Sequence, residues 1–188
     1  MPALQSRKWT ADEVRRLIDE HPEPTPRMEC VDGALLVTPS PGPRHQRIIL
    51  AVVKQIDAFV ASSRIGEVRL SPSDVRLKAD LVQPDLYFLA APHRPAPAPL
   101  IPALAIEVLS PGSAKFDRVI KRRSYLRNGV AEYWIVDGES ETVERWRPGV
   151  DAPDVLDDLI VWNTPAGEFT LDIRALFAAV REIETLMD

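Results

Sequence analysis

Leu104-Ala105-Ile106-Glu107-Val108-Leu109 is an apolar run of strand length with one acid inside it. Side chains alternate across a strand, so Leu104, Ile106 and Val108 share one face and Ala105, Glu107 and Leu109 the other. A carboxylate among such neighbours is partly buried, and an unpaired buried charge is costly. Glu107 therefore needs a partner: an arginine or lysine, or a metal ion. Upstream, Pro84-Asp85 opens a second apolar run, Leu86-Tyr87-Phe88-Leu89. Neighbouring strands lie about 4.8 Å apart, so pairing these two would let Asp85 and Glu107 reach one cation. An ordinary salt bridge from Glu107 to an arginine would meet the same burial requirement without a metal.

Downstream, Ser110-Pro111-Gly112-Ser113 breaks the chain and a basic helix follows. Ser113 suits its N-cap, and Gly129, just past Asn128, suits its end. At the helical period Asp117, Lys121, Ser124, Tyr125 and Asn128 fall on one polar stripe, with Phe116, Val119, Ile120 and Leu126 on the opposing apolar face. That stripe holds more hydrogen-bonding groups than surface solubility requires. Asp117 and Lys121 also read as an exposed i, i+4 pair, worth roughly a few tenths of a kcal/mol. Tyr125 reads equally as a tyrosine packed on the sheet. Val130 to Val136 is the next strand, with Trp134 as core, and Glu141 to Trp146 pairs with it across Gly138-Glu139-Ser140. Asp137 is placed to cap that turn.

The remaining elements frame these two strands. Thr10-x-x-Glu13 is a capping box, followed by Val14, Leu17 and Ile18 on one stripe; His21 to Pro26 stops the helix with its prolines. Residues 1–27 thus read as a helix and proline-rich lead-in, and 28–188 as a single domain. Met28 to Val37 is a hairpin around Asp32-Gly33, with Glu29 on its first arm. Pro39 to Pro43 is a rigid loop. From about Arg44 to Ser62 a helix buries Ile48, Ile49, Val52, Val53, Ile56, Phe59 and Val60. His45 stands at its entrance, either lining the core or reaching a phosphate. Gly66 to Leu70 and Asp74 to Leu77 are short strands. Ala91 to Ala103 holds five prolines and is an extended loop. Asp151 to Asp158 is an acidic loop, Leu159 to Trp162 a short strand, and Asp172 to Met187 a last helix. The fold class is mixed α/β: a mixed sheet flanked by helices, with an N-terminal hairpin.

Composition narrows the function. A chain of 188 residues fits one domain. No apolar run approaches the ~20 residues of a membrane span, and no uninterrupted apolar segment follows Arg7 and Lys8 as in a signal peptide. Cys30 is the only cysteine, which excludes an intramolecular disulfide and a cysteine-based zinc cluster. The cytoplasm is the default address. A net charge of −5 argues against coating nucleic acid through the overall field. Between Lys115 and Arg127, however, six basic residues face one acid. Lys115, Arg118 and Arg122 are candidates for contact with a phosphate backbone; a merely solvated basic face is the alternative.

Asp32-Gly33, Pro84-Asp85, Ile106-Glu107-Val108-Leu109-Ser110-Pro111, then Asp117, Lys121, Tyr125 and Gly129-Val130-Ala131-Glu132-Tyr133-Trp134-Ile135-Val136-Asp137 resemble the Uma-two type of restriction endonuclease family, within the PD-(D/E)XK nuclease superfamily. The resemblance spans roughly Met28 to Trp146. It implies a restriction-endonuclease-like core and magnesium-dependent hydrolysis of DNA, with manganese as a substitute metal. By position, Asp85 and Glu107 would be the catalytic, metal-binding acids. Glu29, beside the Asp32-Gly33 turn, matches an acid often found there. Leu109 stands where the superfamily's lysine is expected, two residues after Glu107; Lys121 would supply the ammonium from the following helix. Glu29, His45, Asp117 and Tyr125 are supporting candidates. A homodimer would suit an enzyme that cuts both strands. The rival readings are a module of the same fold that binds nucleic acid or a protein partner without turnover, and a self-associating domain whose acids are tied up in salt bridges.

Overall fold

The computed structural model describes residues 7–21, 23, 26–92, 100–110 and 112–187. Residues 93–99 of the expected proline-rich loop lie outside the described residues, as do residues 22, 24 and 25 of the expected helix stop and Pro111. Helix α1 (Ala11–Glu20) carries the expected capping box: the Glu13 N–H donates to Thr10 Oγ1 at 3.2 Å and the Thr10 N–H to Glu13 Oε2 at 2.9 Å. Its Ala11 and Val14 pack against Cys30 of the hairpin β1 (Arg27–Val31) and β2 (Ala34–Thr38). Asp32 and Gly33 turn that hairpin at φ 53° and 78°, the left-handed pair a two-residue turn requires.

β1 pairs on its other edge with β5 (Asp80–Val82), which pairs in turn with β4 (Val75–Leu77); the four strands form an antiparallel sheet ordered β2-β1-β5-β4. The strand Asp80–Val82 was not expected from the sequence. Three residues with an acid at one end carry no period, and it is their pairing with Cys30 and Arg76 that makes them a strand.

The main sheet has six strands. β3 (Gly66–Leu70), β6 (Leu86–Ala90), β7 (Leu104–Val108), β8 (Glu132–Asp137), β9 (Thr142–Trp146) and β10 (Asp154–Leu156) lie in the order β10-β9-β8-β7-β6-β3. β10 forms inside the expected acidic loop, along β9. Only β7 and β8 pair in parallel, which obliges a crossover between them. That crossover is a helix whose first part, Phe116–Lys121, is π-helical and whose second, α3, is Arg122–Arg127.

The alternation in β7 sorts the core as expected. Leu104, Ile106 and Val108 face α2 (Pro43–Ser63), whose Ile48, Val52, Ile56 and Val60 recur every four residues, along with α4 (Ile173–Met187) and the hairpin β11 (Leu159–Thr164) and β12 (Gly167–Asp172). Trp134 is buried there too. On the other face Ala105 packs with Tyr87, Ile135, Tyr125 and the four-stranded sheet's Val31 and Val82.

The crossover helix reverses the orientation implied by an exposed Asp117–Lys121 pair. Asp117, Lys121, Ser124, Tyr125 and Asn128 are all buried, whereas Phe116 and Val119 stand 38 % and 41 % exposed. The polar stripe turns inward because the sheet face beneath it presents carboxylates of its own. Burial here follows charge partners rather than hydrophobic period.

Candidate active site

β6 and β7 run antiparallel with Leu86 opposite Ile106. One step further along that register Asp85 stands opposite Glu107, on the face that meets the crossover helix. Only 3 % of Asp85 and 2 % of Glu107 is exposed. Two like charges so placed repel unless each has its own compensation.

Asp85 is held from three directions. Arg27 Nη2 donates to Oδ1 at 2.8 Å, the Val108 N–H donates to Oδ2 at 2.9 Å, and His45 Nε2 lies 3.1 Å from Oδ2. Burial works to raise the pKa of this carboxyl. The His45 hydrogen bond, the Arg27 charge and the Val108 N–H outweigh it and hold the group well below the usual carboxylate range.

Glu107 is compensated from the helix. Lys121 Nζ donates to Oε1 at 3.1 Å and Tyr125 Oη to the same oxygen at 2.9 Å. Lys121 also lies 2.8 Å from Glu29 Oε2 and 3.5 Å from Asp117 Oδ1. Glu29 in turn accepts the Gln83 N–H at 2.8 Å. Thus four buried carboxylates (Glu29, Asp85, Glu107, Asp117) meet two permanent cations, Arg27 and Lys121. The surplus is visible in the protonation equilibria. Burial, against the opposing charge of Lys121 and with help from Asp85, Asp117 and Glu29, pushes Glu107 well up. Asp117 is raised by burial in the same way. Burial would lower Lys121, but Glu107, Glu29 and Asp117 together raise it and keep it an ammonium.

These groups line one cleft of about 400 Å³. The segment Leu35–Gly42 and the crossover helix entrance, with Ser113, Phe116 and Asp117, contribute to its lining. Among the described residues no three His, Cys, Asp or Glu side chains converge as a ready-made ligand set. Magnesium does not require one, since it usually takes one or two carboxylates and completes its shell with water and substrate phosphate. Both hydrogen bonds to Glu107 among the described residues fall on Oε1, which leaves Oε2 as a hard donor. Asp117 Oδ1 is buried without a hydrogen bond. Hard oxygen donors with a surplus of negative charge fit a small dication held by Asp85 and Glu107.

The sequence-expected residues Glu29, His45, Asp85, Glu107, Asp117 and Lys121 all line this cleft, and Tyr125 reaches it through Glu107. The expected phosphate-binding cations do not converge on it. Arg118 donates to Glu144 at 2.6 Å and Asp137 at 2.9 Å, Arg122 stacks 4.1 Å over the Trp146 ring, and Lys115 is exposed. Arg27 was missed, because nothing in a single arginine before a hairpin marks it as the partner of an acid 58 residues away. Asp80 was missed too. Nearly fully buried, it accepts from the Asp32 N–H at 3.0 Å, from Arg127 at 2.6 Å and from the Ser124 hydroxyl, tying β5 and the hairpin turn to the helix that carries Lys121. Its three-residue strand carries no period that would have marked it.

Comparison with known proteins bears on the fold and the family. A solved structure titled a putative nuclease belonging to DUF820, from Anabaena variabilis ATCC 29413, superposes with a TM-score of 0.69 at 24 % identity, over 82 % of this chain and 92 % of that one. At that identity the likeness establishes the fold. No curated protein matches. The model of the Uma2 family, described as "Putative restriction endonuclease", matches residues 11–173, which take in α1, both sheets and every residue of the cleft. The chain belongs to the Uma2 family of restriction-endonuclease-like nucleases.

Proposed function

We propose that this protein is a magnesium-dependent endonuclease that hydrolyses phosphodiester bonds in DNA, with manganese as a substitute metal. The observation that carries the reading is the carboxylate pair Asp85 and Glu107, opposite one another in a cleft and part of a cluster in which four buried acids share two permanent cations, Arg27 and Lys121. A protein gains nothing in stability from such a surplus, and perturbed acids in a cleft are a mark of function. Bound between Asp85 and Glu107, magnesium would polarise the scissile phosphate and lower the pKa of an attacking water.

The chain's own groups have separable tasks. Arg27, His45 and the Val108 N–H fix Asp85; Tyr125 and Lys121 fix Glu107. Lys121, held protonated by three carboxylates, suits charge stabilisation at the phosphate rather than proton abstraction. It fills the place that Leu109, partly buried against the core, cannot. No helix among the described residues is long and apolar enough to cross a membrane. A cytoplasmic address and a homodimer belong to the same proposal.

The test is calorimetric titration with magnesium and manganese of wild type and the Asp85→Asn/Glu107→Gln double variant, alongside plasmid cleavage. Millimolar or tighter binding and nicking that both vanish in the variant would support the reading. Metal binding without cleavage of any DNA would favour the second reading, a non-catalytic module, which Leu109 at the signature position already motivates. Cleavage that survives the double variant would remove both acids from their role.

A further inference from the structure

The acids of the cleft are buried, while part of its apolar lining is exposed. Phe116, 38 % exposed, and Val37, 55 % exposed, both line the cleft that holds the carboxylates. Phe116 immediately precedes Asp117 at the start of the π-helical segment, on the side of the helix that its buried polar stripe leaves outward. Neither residue is needed for the core. An aromatic face and an aliphatic side chain left bare at the mouth of a polar cleft offer a stacking surface. The basic residues nearby are largely committed within the chain: Arg118 to Asp137 and Glu144, Arg122 to the Trp146 ring. The whole protein carries a net charge of −5.

Duplex binding relies chiefly on cations neutralising phosphates along a surface, whereas a single strand adds base stacking to that electrostatic contribution. Among the described residues here, Arg118 and Arg122 are committed within the chain and Lys115 is exposed. A duplex backbone resting on the surface would also leave its phosphates outside a cleft of about 400 Å³ whose four acids are at most 3 % exposed. An unpaired strand can bend a single phosphate inward and place the adjoining base on the rim. Stacking of that kind is tolerant of sequence, since every base has a π-face.

We infer that the substrate is an unpaired DNA strand, or the unpaired part of a flap or frayed end, and that Phe116 stacks on the base beside the scissile phosphate. This rests on the nuclease reading for the word scissile, but its binding half can be tested alone. The full-length protein, with metal withheld to prevent turnover, is titrated against a short oligodeoxynucleotide carrying 2-aminopurine, either single or annealed to its complement. The expected result is binding of the single strand at least tenfold tighter than the duplex, with a 2-aminopurine signal that changes on stacking. Phe116→Ala should weaken single-strand binding by about tenfold or more, while Phe116→Trp should retain it; duplex binding should not respond to either. Because Phe116 is exposed, neither substitution threatens the fold.

Equal or tighter binding of the duplex, an unchanged affinity in Phe116→Ala, or no binding of either form would overturn the inference. Cleavage distinguishes it from the broader reading. With magnesium or manganese added, cutting of duplex and single strand at equal rates would sink the strand preference and leave the nuclease standing. A Phe116-dependent preference for single strands without cleavage of any DNA would do the reverse.

Discussion

Asp80 and Glu107 are both nearly fully buried carboxylates that face the crossover helix, yet their surroundings differ. Asp80 is satisfied by a guanidinium, a hydroxyl and a backbone N–H, from Arg127, Ser124 and Asp32. Glu107 shares one ammonium with Glu29 and Asp117 and faces Asp85 across the strand pair. The first arrangement is what a fold needs in order to bury a charge at all. The second leaves charge over, at the bottom of a cleft. The same helix thus carries a staple at Ser124 and Arg127 and, at Asp117 and Lys121, part of the proposed reactive centre, and the two should respond differently to the same kind of damage.

Lys121→Ala is expected to have the largest effect, on turnover: a loss of about a thousandfold in DNA cleavage, roughly 4 kcal/mol in the barrier, with magnesium binding retained. Parallel cleavage and calorimetry would check it, and cleavage near the wild-type rate would take the lysine out of the mechanism. Asp80→Ala should instead act on the fold. It strands the buried Ser124 hydroxyl and frees the helix from β5, and about 3 kcal/mol of stability should go. Urea denaturation reads that loss; a stable variant with impaired cleavage would erase the distinction between the two clusters.

The protonation shifts predict opposite slopes for the two site acids in metal-free protein. Asp85 is depressed in the fold, so its contribution to stability is present above its unfolded value of about 3.9 and is lost as pH falls. Glu107 is raised, so wild-type stability declines as pH climbs above about 4.3 through the folded value. Relative to wild type, Glu107→Gln should therefore become more stable as pH rises from about 4 to neutrality, whereas the deficit of Asp85→Asn should stay level above about pH 4 and shrink as pH falls below it. Urea midpoints from acid to neutral pH test the pair, and parallel pH profiles for both variants would show that the cluster is not unbalanced. The smallest effect belongs to the exposed half of the staple. Asp32→Asn should change stability by no more than about 1 kcal/mol, since Asp32 and Arg127 are both substantially exposed.

Much of this molecule was legible locally. The alternation in β7 sorted Leu104, Ile106 and Val108 from Glu107, the capping box at Thr10 and the Asp32-Gly33 turn formed as read, and Asp137 accepts the Glu139 and Ser140 N–H groups of its turn. Each of these depends on neighbours within a few residues, so spacing suffices to reveal it. The pairing of Asp85 with Glu107 was legible only as a condition on the two strands meeting.

Other features were decided by tertiary structure. The helical period separated a polar stripe from an apolar face, but it could not reveal that Glu29, Glu107 and Asp85 waited on the sheet to draw the polar stripe inward. Asp80–Val82 became a strand only by pairing on both edges with the hairpin and β4. Arg27 found Asp85 across 58 residues, and Arg127 found Asp80 across 47. The sequence by itself determined the elements and the acids that demand partners, because burial of an apolar strand makes that demand locally. Which cation answers each acid, and which acids must share one, follows from distances that exist only once the sheets and the crossover helix have come together.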